Sequence, residues 1–227
     1  MNNPSEIKLN IGAGKTYIPG FINVDISDKA DLSLDIGTTR LPFEDNSVDL
    51  IFSYHTLEHV PNYLYAISEI YRVLKHRGVL LMGLPYVTLT EYHLINPYHL
   101  HNFNEYSFDF FDPGRLRGSA AEMNAPLFTK MFHRYHYIGI FNLFVTPFRS
   151  WCRRHLFNVV RKIDFGLLAV KDVNDIPAVS RRDARILKRQ FDECMRSRIP
   201  YERSGLSEGS HIVMRLAKRG RTWWRGQ

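Results

Sequence analysis

The sequence predicts an α/β fold built around a mostly parallel sheet. Short apolar segments are separated by polar turns or by a helical stretch, and they span residues 7–11, 21–25, 31–36, 48–53 and 79–82. The helical stretch, residues 61–75, has apolar residues at three- and four-residue spacing and a proline in its first turn. Strands that alternate with crossovers in this way favour parallel pairing.

The two halves of the chain differ sharply in charge. Residues 1–110 contain 7 Lys/Arg and 13 Asp/Glu, a net charge of −6, whereas residues 111–227 contain 23 and 10, a net charge of +13. The basic half suits phosphates or an anionic membrane, although an ordinary solvated basic face explains the same composition.

The basic half also predicts a helical embellishment on the sheet. Apolar residues on one face of 151–168, opposite Arg153, Arg154, Arg161 and Lys162, predict an amphipathic helix. Ser180 with Asp183 resembles a capping box that opens a helix to about Arg198. We expect a core over 1–135, a basic helical insertion or cap over 136–200, a final core strand over 201–217 and a flexible tail over 218–227.

The cysteines and the chain start indicate a reducing environment. Cys152 and Cys194 lie far apart and form no metal-binding spacing, and the first residues lack a signal-peptide pattern. The most apolar stretch, 137–148, is too short to span a bilayer. We expect a cytoplasmic protein, with peripheral contact at the inner membrane face as an alternative.

Two glycines and two acids mark a ligand site at the predicted sheet edge. Gly12 and Gly14 follow the first strand, where a ligand must approach the backbone closely. Asp25 ends the second strand and can accept hydrogen bonds from ribose hydroxyls, and Asp35 with the backbone of Ile36 can contact adenine. Gly-Ala-Gly alone is equally typical of a tight turn, but the ordered set favours a nucleoside ligand.

Two other motifs in this region are excluded. Gly14-Lys15-Thr16 imitates the end of a phosphate-binding loop, but the glycine that such a loop requires is replaced by Leu9. The spacing of His55, Glu58 and His59 imitates a zinc peptidase, but Pro61 follows at once and breaks the long helix that this site needs.

Residues 9–25, 35–60 and 69–82 resemble the class I S-adenosylmethionine (SAM)-dependent methyltransferases, most closely the small "type 11" group. The resemblance implies a Rossmann-like sheet and SAM as cofactor. By position it implies that the cofactor-binding residues are Asn10, Gly12, Ala13, Gly14, Asp25, Asp35, Ile36, Ser53 and His55. One feature departs from the usual dinucleotide pattern: 13 positions separate Gly12 from Asp25, against about 20. The first crossover must therefore be a loop or a single turn.

The histidines supply candidate catalytic groups. Methyl transfer is an in-line displacement, so the protein must mainly align a nucleophile and exclude water. A hydroxyl acceptor also needs a base, and histidine suits neutral pH. We assign this role to His59 and His101, ahead of His93, His99 and Tyr86.

The same residues raise the question of a metal. In metal-dependent O-methyltransferases an E-x-x-E-H motif at this place binds a divalent cation. Here His55 replaces the first Glu, Glu58 and His59 match, and His99 or His101 offers a further ligand. We expect no metal centre and a plain pocket-lining role, with Glu58 and His59 as the alternative metal site.

These features together predict a SAM-dependent methyltransferase that acts on a small-molecule or glycan acceptor, at oxygen. Two alternatives stay open: an RNA-modifying methyltransferase, and a catalytically inactive SAM-fold protein that serves as a binding or scaffold module. Besides the acceptor, the expected partners are an anionic membrane surface, through the 151–168 helix, and, less favoured, nucleic acid.

Overall fold

A computed structural model describes residues 6–115 and 126–201. Three helices and nine strands organise these residues. The helices are α1 (Tyr63–Val73), α2 (Thr146–His155) and α3 (Arg181–Arg196). The strands are β1 (Lys8–Ile11), β2 (Thr16–Tyr17), β3 (Ile22–Asp25), β4 (Leu32–Ser33), β5 (Val48–Tyr54), β6 (Leu74–Pro85), β7 (Phe128–Tyr137), β8 (Val160–Ala169) and β9 (Ile199–Pro200).

Seven strands form one sheet in the order β4-β3-β1-β5-β6-β8-β7, and β2 pairs with β9 separately. The first five strands of that order are parallel to one another. β8 lies antiparallel between β6 and β7. The predicted α/β, mostly parallel fold is therefore confirmed. The predicted third strand is reduced to Leu32–Ser33, and the fifth begins earlier than predicted, at Leu74.

Different helices cover the two faces of the sheet. α1 packs its buried residues on one face, against Leu9 and Ile11 of β1 and Ile51 of β5. α3 covers the opposite face, where Leu187, Phe191 and Cys194 meet Ile18, Leu50, Phe52 and Leu81. A sheet of parallel strands must be covered on both faces. No helix lies between β1 and β3, so α3 covers the sheet face that the short first crossover leaves open.

The predicted helix over 151–168 is wrong. The helix α2 ends at His155, and residues 160–169 form the strand β8, which lies next to the edge strand β7. Of the apolar residues assigned to the helical face, Val159, Val160, Ile163 and Leu167 are fully buried in the sheet core, whereas Trp151 and Leu156 are 46% and 42% exposed. The strand lies within the segment 136–200 predicted as a cap, and the boundaries at 135 and 200 remain predictions.

The helix predicted after Ser180 is confirmed. The Ser180 side chain accepts a hydrogen bond from the backbone N–H of Asp183, and the helix ends at Arg196. The short helix predicted over 104–111 is a single turn at Asp109–Phe111. The strand predicted within 201–217 and the tail 218–227 lie outside the described residues. Within residues 6–115 and 126–201, no helix has the length and apolarity that crossing a membrane requires.

Candidate cofactor and acceptor site

The turn after β1 brings the chain against the end of β5. Gly12 and Gly14 both have positive φ, +72° and +61°. A Cβ atom on Gly12 would lie 1.9 Å from Oγ1 of Thr56, which directly follows His55. A side chain at position 12 is therefore excluded both by the backbone and by Thr56.

Asp25 stands at the end of β3 and organises the glycine turn. One carboxylate oxygen accepts a hydrogen bond from the backbone N–H of Gly14 at 2.8 Å, and the other accepts from Ser27 at 3.0 Å. A carboxylate has about four acceptor positions, so two of them remain for a ligand. The arrangement suits an acid that receives ribose hydroxyls and also fixes the loop around them.

Asp35 lies in the loop after β4, and its carboxylate is exposed. It accepts from the backbone N–H of Gly37 at 2.8 Å and from the hydroxyl of Thr38 at 3.1 Å. These bonds hold the turn in which Ile36 is buried at 7% exposure. Leu34, just before Asp35, donates its backbone N–H to the carbonyl of Asp25, so the two acidic turns are tied together.

Asn10 and Ser53, two further predicted cofactor-binding residues, are buried within the strands β1 and β5. The Asn10 side chain is buried and donates to Asn23 at 2.8 Å, within a network that also holds Ile18. The Asn10 side chain therefore links β1 to β3 inside the sheet. Ser53 lies beside Ile11 in the register of β5 with β1, and its hydroxyl has no hydrogen-bond partner within residues 6–115 and 126–201.

His55 begins the acceptor side of the site in a strained conformation. Its φ is +52°, unusual for a residue with a side chain, and its ring nitrogen Nδ1 lies 3.0 Å from Oε1 of Glu58. Glu58 is fully buried, and its second oxygen, Oε2, has no hydrogen-bond partner among the described residues. A buried carboxylate oxygen without a partner is costly and indicates a binding position.

The two predicted catalytic histidines are held by backbone carbonyls. His59 Nδ1 lies 3.0 Å from the carbonyl of Tyr98, and His101 Nε2 lies 2.8 Å from that of Val60. Because a carbonyl can only accept, each of these nitrogens carries the proton, and the other nitrogen of the neutral ring keeps its lone pair. Both rings are therefore set up to accept a proton.

The loop 93–102 adds His99 beside His59, with ring centroids 4.6 Å apart. His93 Nε2 faces Oδ1 of Asn102 at 2.8 Å, and its Nδ1 faces Nδ1 of His99 at 2.9 Å. Asn102 therefore fixes the proton of His93 on Nε2, His99 donates from Nδ1, and Nε2 of His99 keeps its lone pair. Burial lowers the pKa of His93 and of His99, which favours these neutral rings.

This loop completes a donor set that fits a metal ion. One carboxylate oxygen of Glu58 and one ring nitrogen each of His59 and His99 lie within 4.8 Å of one another. A carboxylate oxygen and two imidazole lone pairs are suitable ligands for a borderline divalent cation. For the alternative metal site at Glu58 and His59, the third candidate ligand is therefore His99 rather than His101.

Several residues of the site are not evident from the sequence. Thr56 fills the space opposite Gly12, and Arg198, which follows α3, bonds to Thr16 in the loop after Gly14. Tyr201 stacks on Tyr17 at 5.6 Å, and burial raises its pKa to about 12. The signal for Thr56 was its place shortly after the predicted strand 48–53, but Arg198 and Tyr201 lie more than 170 positions from the loop.

The fold and site together define a class I, Rossmann-like methyltransferase architecture. Solved methyltransferase structures have a similar fold. A SAM-dependent methyltransferase from Archaeoglobus fulgidus superimposes with a TM-score of 0.52 at 14% identity, over 73% of this chain and 86% of that one. A Haloferax volcanii structure of the Trm112 methyltransferase activator in complex with a methyltransferase gives 0.50 at 16% identity, over 74% and 83%. At these identities the likeness shows the fold.

Sequence comparison finds a methyltransferase likeness in part of the chain. The model described as "Methyltransferase domain" matches residues 21–82, a range that includes Asp25, Asp35, His55, Glu58 and His59. An uncharacterized protein of Methanocaldococcus jannaschii is 52% identical over 43 residues, which is 19% of this chain and 19% of that protein. The matched segment and the fold together support a class I SAM-dependent methyltransferase, and SAM is the cofactor that this likeness implies.

Proposed function

We propose that the protein transfers a methyl group from SAM to a hydroxyl of a small-molecule or glycan acceptor. The observation that carries the proposal is the juxtaposition of the glycine turn with the histidines after β5. Thr56, directly beside Gly12, also opens the turn that holds Glu58 and His59. Cofactor-binding residues and proton acceptors therefore share one sheet edge, where open parallel sheets bind their ligands.

SAM supplies a methyl carbon that is activated by a positively charged sulfur. Held by Asp25 and Asp35, SAM would supply this carbon to the acceptor oxygen, and S-adenosylhomocysteine would be the remaining product. The free ring nitrogen of His101 or of His59 takes the hydroxyl proton. The carbonyls of Val60 and Tyr98 orient these rings. The backbone carbonyl of Glu58 accepts from Leu100 at 2.7 Å, which ties the loop 93–102 to the turn at Leu57–His59.

Replacing Asp25 tests the cofactor assignment. We expect Asp25→Ala to weaken SAM binding by at least ~1.5 kcal/mol, about tenfold, because hydrogen bonds from the ribose are lost. Titration calorimetry with SAM measures the effect, and Asp28→Ala, an exposed acid three residues away, is the matched control. An unchanged affinity in Asp25→Ala would refute the assignment.

The acceptor class separates this proposal from its alternatives. α3 exposes Arg181, Arg182, Arg185 and Arg189, which suit a nucleic-acid backbone. An RNA-modifying enzyme would bind RNA with an affinity that falls steeply with salt, and no RNA binding at low salt would remove that alternative. SAM binding without methyl release onto any candidate acceptor would support the scaffold alternative.

A divalent metal is a second proposal, supported by the Glu58–His59–His99 donor set. Metal analysis of the purified protein and thermal melting with added Zn²⁺, Co²⁺ or Mn²⁺ provide readouts independent of activity. We expect His99→Ala to lose bound metal and the metal-dependent rise in Tm. The matched control is His155→Ala, an exposed histidine at the end of α2. If the wild type contains no metal and its Tm does not change when metal is added, Glu58, His59 and His99 only line the pocket.

Peripheral membrane contact is proposed on α2 and the turn before it, in place of the 151–168 helix. Before α2, Leu143 and Val145 are 82% and 74% exposed, and after it Phe157 is 64% exposed; Arg154, in the last turn of the helix, is also exposed. Exposed apolar side chains near cations suit an anionic lipid surface. Sedimentation with phosphatidylglycerol vesicles tests this contact, and equal binding of wild type and Leu143→Ser/Val145→Ser would contradict it.

A further inference from the structure

The loop after β1 leaves few donors for an anionic ligand. The backbone N–H groups of Gly12 and Ala13 both donate to the carbonyl of Val24, at 2.8 and 3.1 Å. Those of Gly14 and Thr16 donate to Asp25 and to the carbonyl of Ala13. Since no helix begins between β1 and β3, no helix N-terminus faces the site from this crossover either. Of the amides from Gly12 to Thr16, only that of Lys15 has no partner among the described residues, so a ligand carboxylate at this loop needs a further donor from elsewhere.

Arg198 reaches the loop from the other end of the chain. It lies between α3 and β9, and β9 pairs antiparallel with β2, immediately after the glycine turn. Its Nε donates to the hydroxyl of Thr16 at 3.1 Å, and that hydroxyl donates to the carbonyl of Ala13 at 3.1 Å. The guanidinium lies over the ring of Tyr54, 4.7 Å from the ring centre, at the end of β5. These contacts place the cation between the glycine turn and the end of β5.

Among the described residues, the guanidinium of Arg198 also has no counter-ion. Within residues 6–115 and 126–201, no carboxylate pairs with Arg198, and its two terminal nitrogens have no hydrogen-bond partner. Burial lowers the pKa of Arg198, and the contact with Tyr54 offsets this only in part. A half-buried arginine whose forked end is unused is suited to bind a carboxylate in bidentate fashion.

We propose that Arg198 binds the carboxylate of the cofactor's methionine moiety. This inference rests on the proposed SAM site, whose acids at Asp25 and Asp35 receive the adenosine end. Arg198 is thus a binding residue that discriminates ligands with the amino-acid carboxylate from those without it. It takes over the role that free loop amides would otherwise have.

Two ligands test this role directly. S-adenosylhomocysteine carries the carboxylate, whereas 5′-methylthioadenosine keeps the nucleoside and thioether but lacks it. We expect Arg198→Gln to weaken S-adenosylhomocysteine binding at least about tenfold in calorimetry and to change methylthioadenosine binding by less than about twofold. Arg198→Lys, which keeps the charge without the fork, should fall between. Arg196→Gln, the exposed last residue of α3, is the matched control.

Equal losses for both ligands, or no loss for S-adenosylhomocysteine, would overturn the proposal. If Arg198→Gln does not fold, the methyl ester of S-adenosylhomocysteine replaces the variant in the test. The ester should then bind wild type and Arg198→Lys with similar affinity, and a large difference between them would contradict the role. Wild type that binds neither nucleoside would instead refute the SAM site itself, so the two failures are distinguishable.

Discussion

Removing Phe191 tests whether α3 is an essential cover of the sheet. Phe191 is fully buried and packs its edge on Phe52 at a centroid distance of 5.5 Å. The guanidinium of Arg134 lies 5.3 Å from the centre of its ring. Truncation of a buried Phe to Ala typically costs about 3–5 kcal/mol, because the transfer energy is lost and a cavity remains. For a chain of this size, that loss lowers Tm by roughly 6–20 °C.

Calorimetric melting of wild type and Phe191→Ala at pH 7 provides the measurement. Ile186→Ala is the matched control on the same helix, since Ile186 is 46% exposed and its truncation should cost less than about 1 kcal/mol. If Phe191→Ala melts within about 2 °C of wild type, well below the loss expected for a filled core position, α3 does not pack on the sheet as described.

Three further changes test particular elements. Gly12→Ala should lower the free energy of unfolding in urea by at least about 2 kcal/mol, because the new Cβ would clash with Thr56. In Gly14→Ala the Cβ meets nothing within 4 Å, so only the roughly 1–2 kcal/mol cost of a left-handed backbone is expected. Equal losses in the two variants would contradict the contact between position 12 and Thr56. Ser180→Ala should lose about 1 kcal/mol through its helix cap, and unchanged stability would exclude the cap. Burial and the charge of Lys130 lower the pKa of His133 below 6.5, so its stabilising effect is present above pH 6.5 and lost as pH falls through the lowered pKa. The free energy of unfolding should therefore fall less from pH 7 to pH 5 in His133→Gln than in wild type, and an identical fall would refute it.

The first half of the fold follows from local pattern. The strands ending at Ile11, Asp25 and Tyr54 are short apolar runs that end in turn residues, and helix α1 has a clear three- and four-residue period. The error at 151–168 has a physical cause. β8 is buried on both faces, so apolar residues occupy positions that also fit a helical stripe. The alternation of Ile163, Phe165 and Leu167 on one face was the signal for a strand.

The positions of the candidate site residues were predictable where they follow strand ends. They were not predictable where segments distant in sequence come together. Gly12, Asp25 and Asp35 lie in strand-end turns, as their positions indicated. The proton arrangement of His99 depends on His93 and Asn102 in a loop without a repeating pattern. Such contacts depend on how the loop folds back on itself, and a single sequence carries no periodic signal for them.

The short first crossover and the C-terminal helix are linked by geometry. Neighbouring parallel strands joined by a crossover helix need about a dozen or more connecting residues, and residues 12–21 between β1 and β3 are too few. The exposed sheet face must then be covered from elsewhere, and α3 does so with Leu187 and Phe191. Because β9 follows α3 directly and pairs with β2, the same helix that covers the face also fixes the loop beside Gly14. The stability of the core and the geometry of the cofactor loop are therefore coupled. A substitution that loosens the packing of α3 should weaken cofactor binding even when the loop sequence is unchanged.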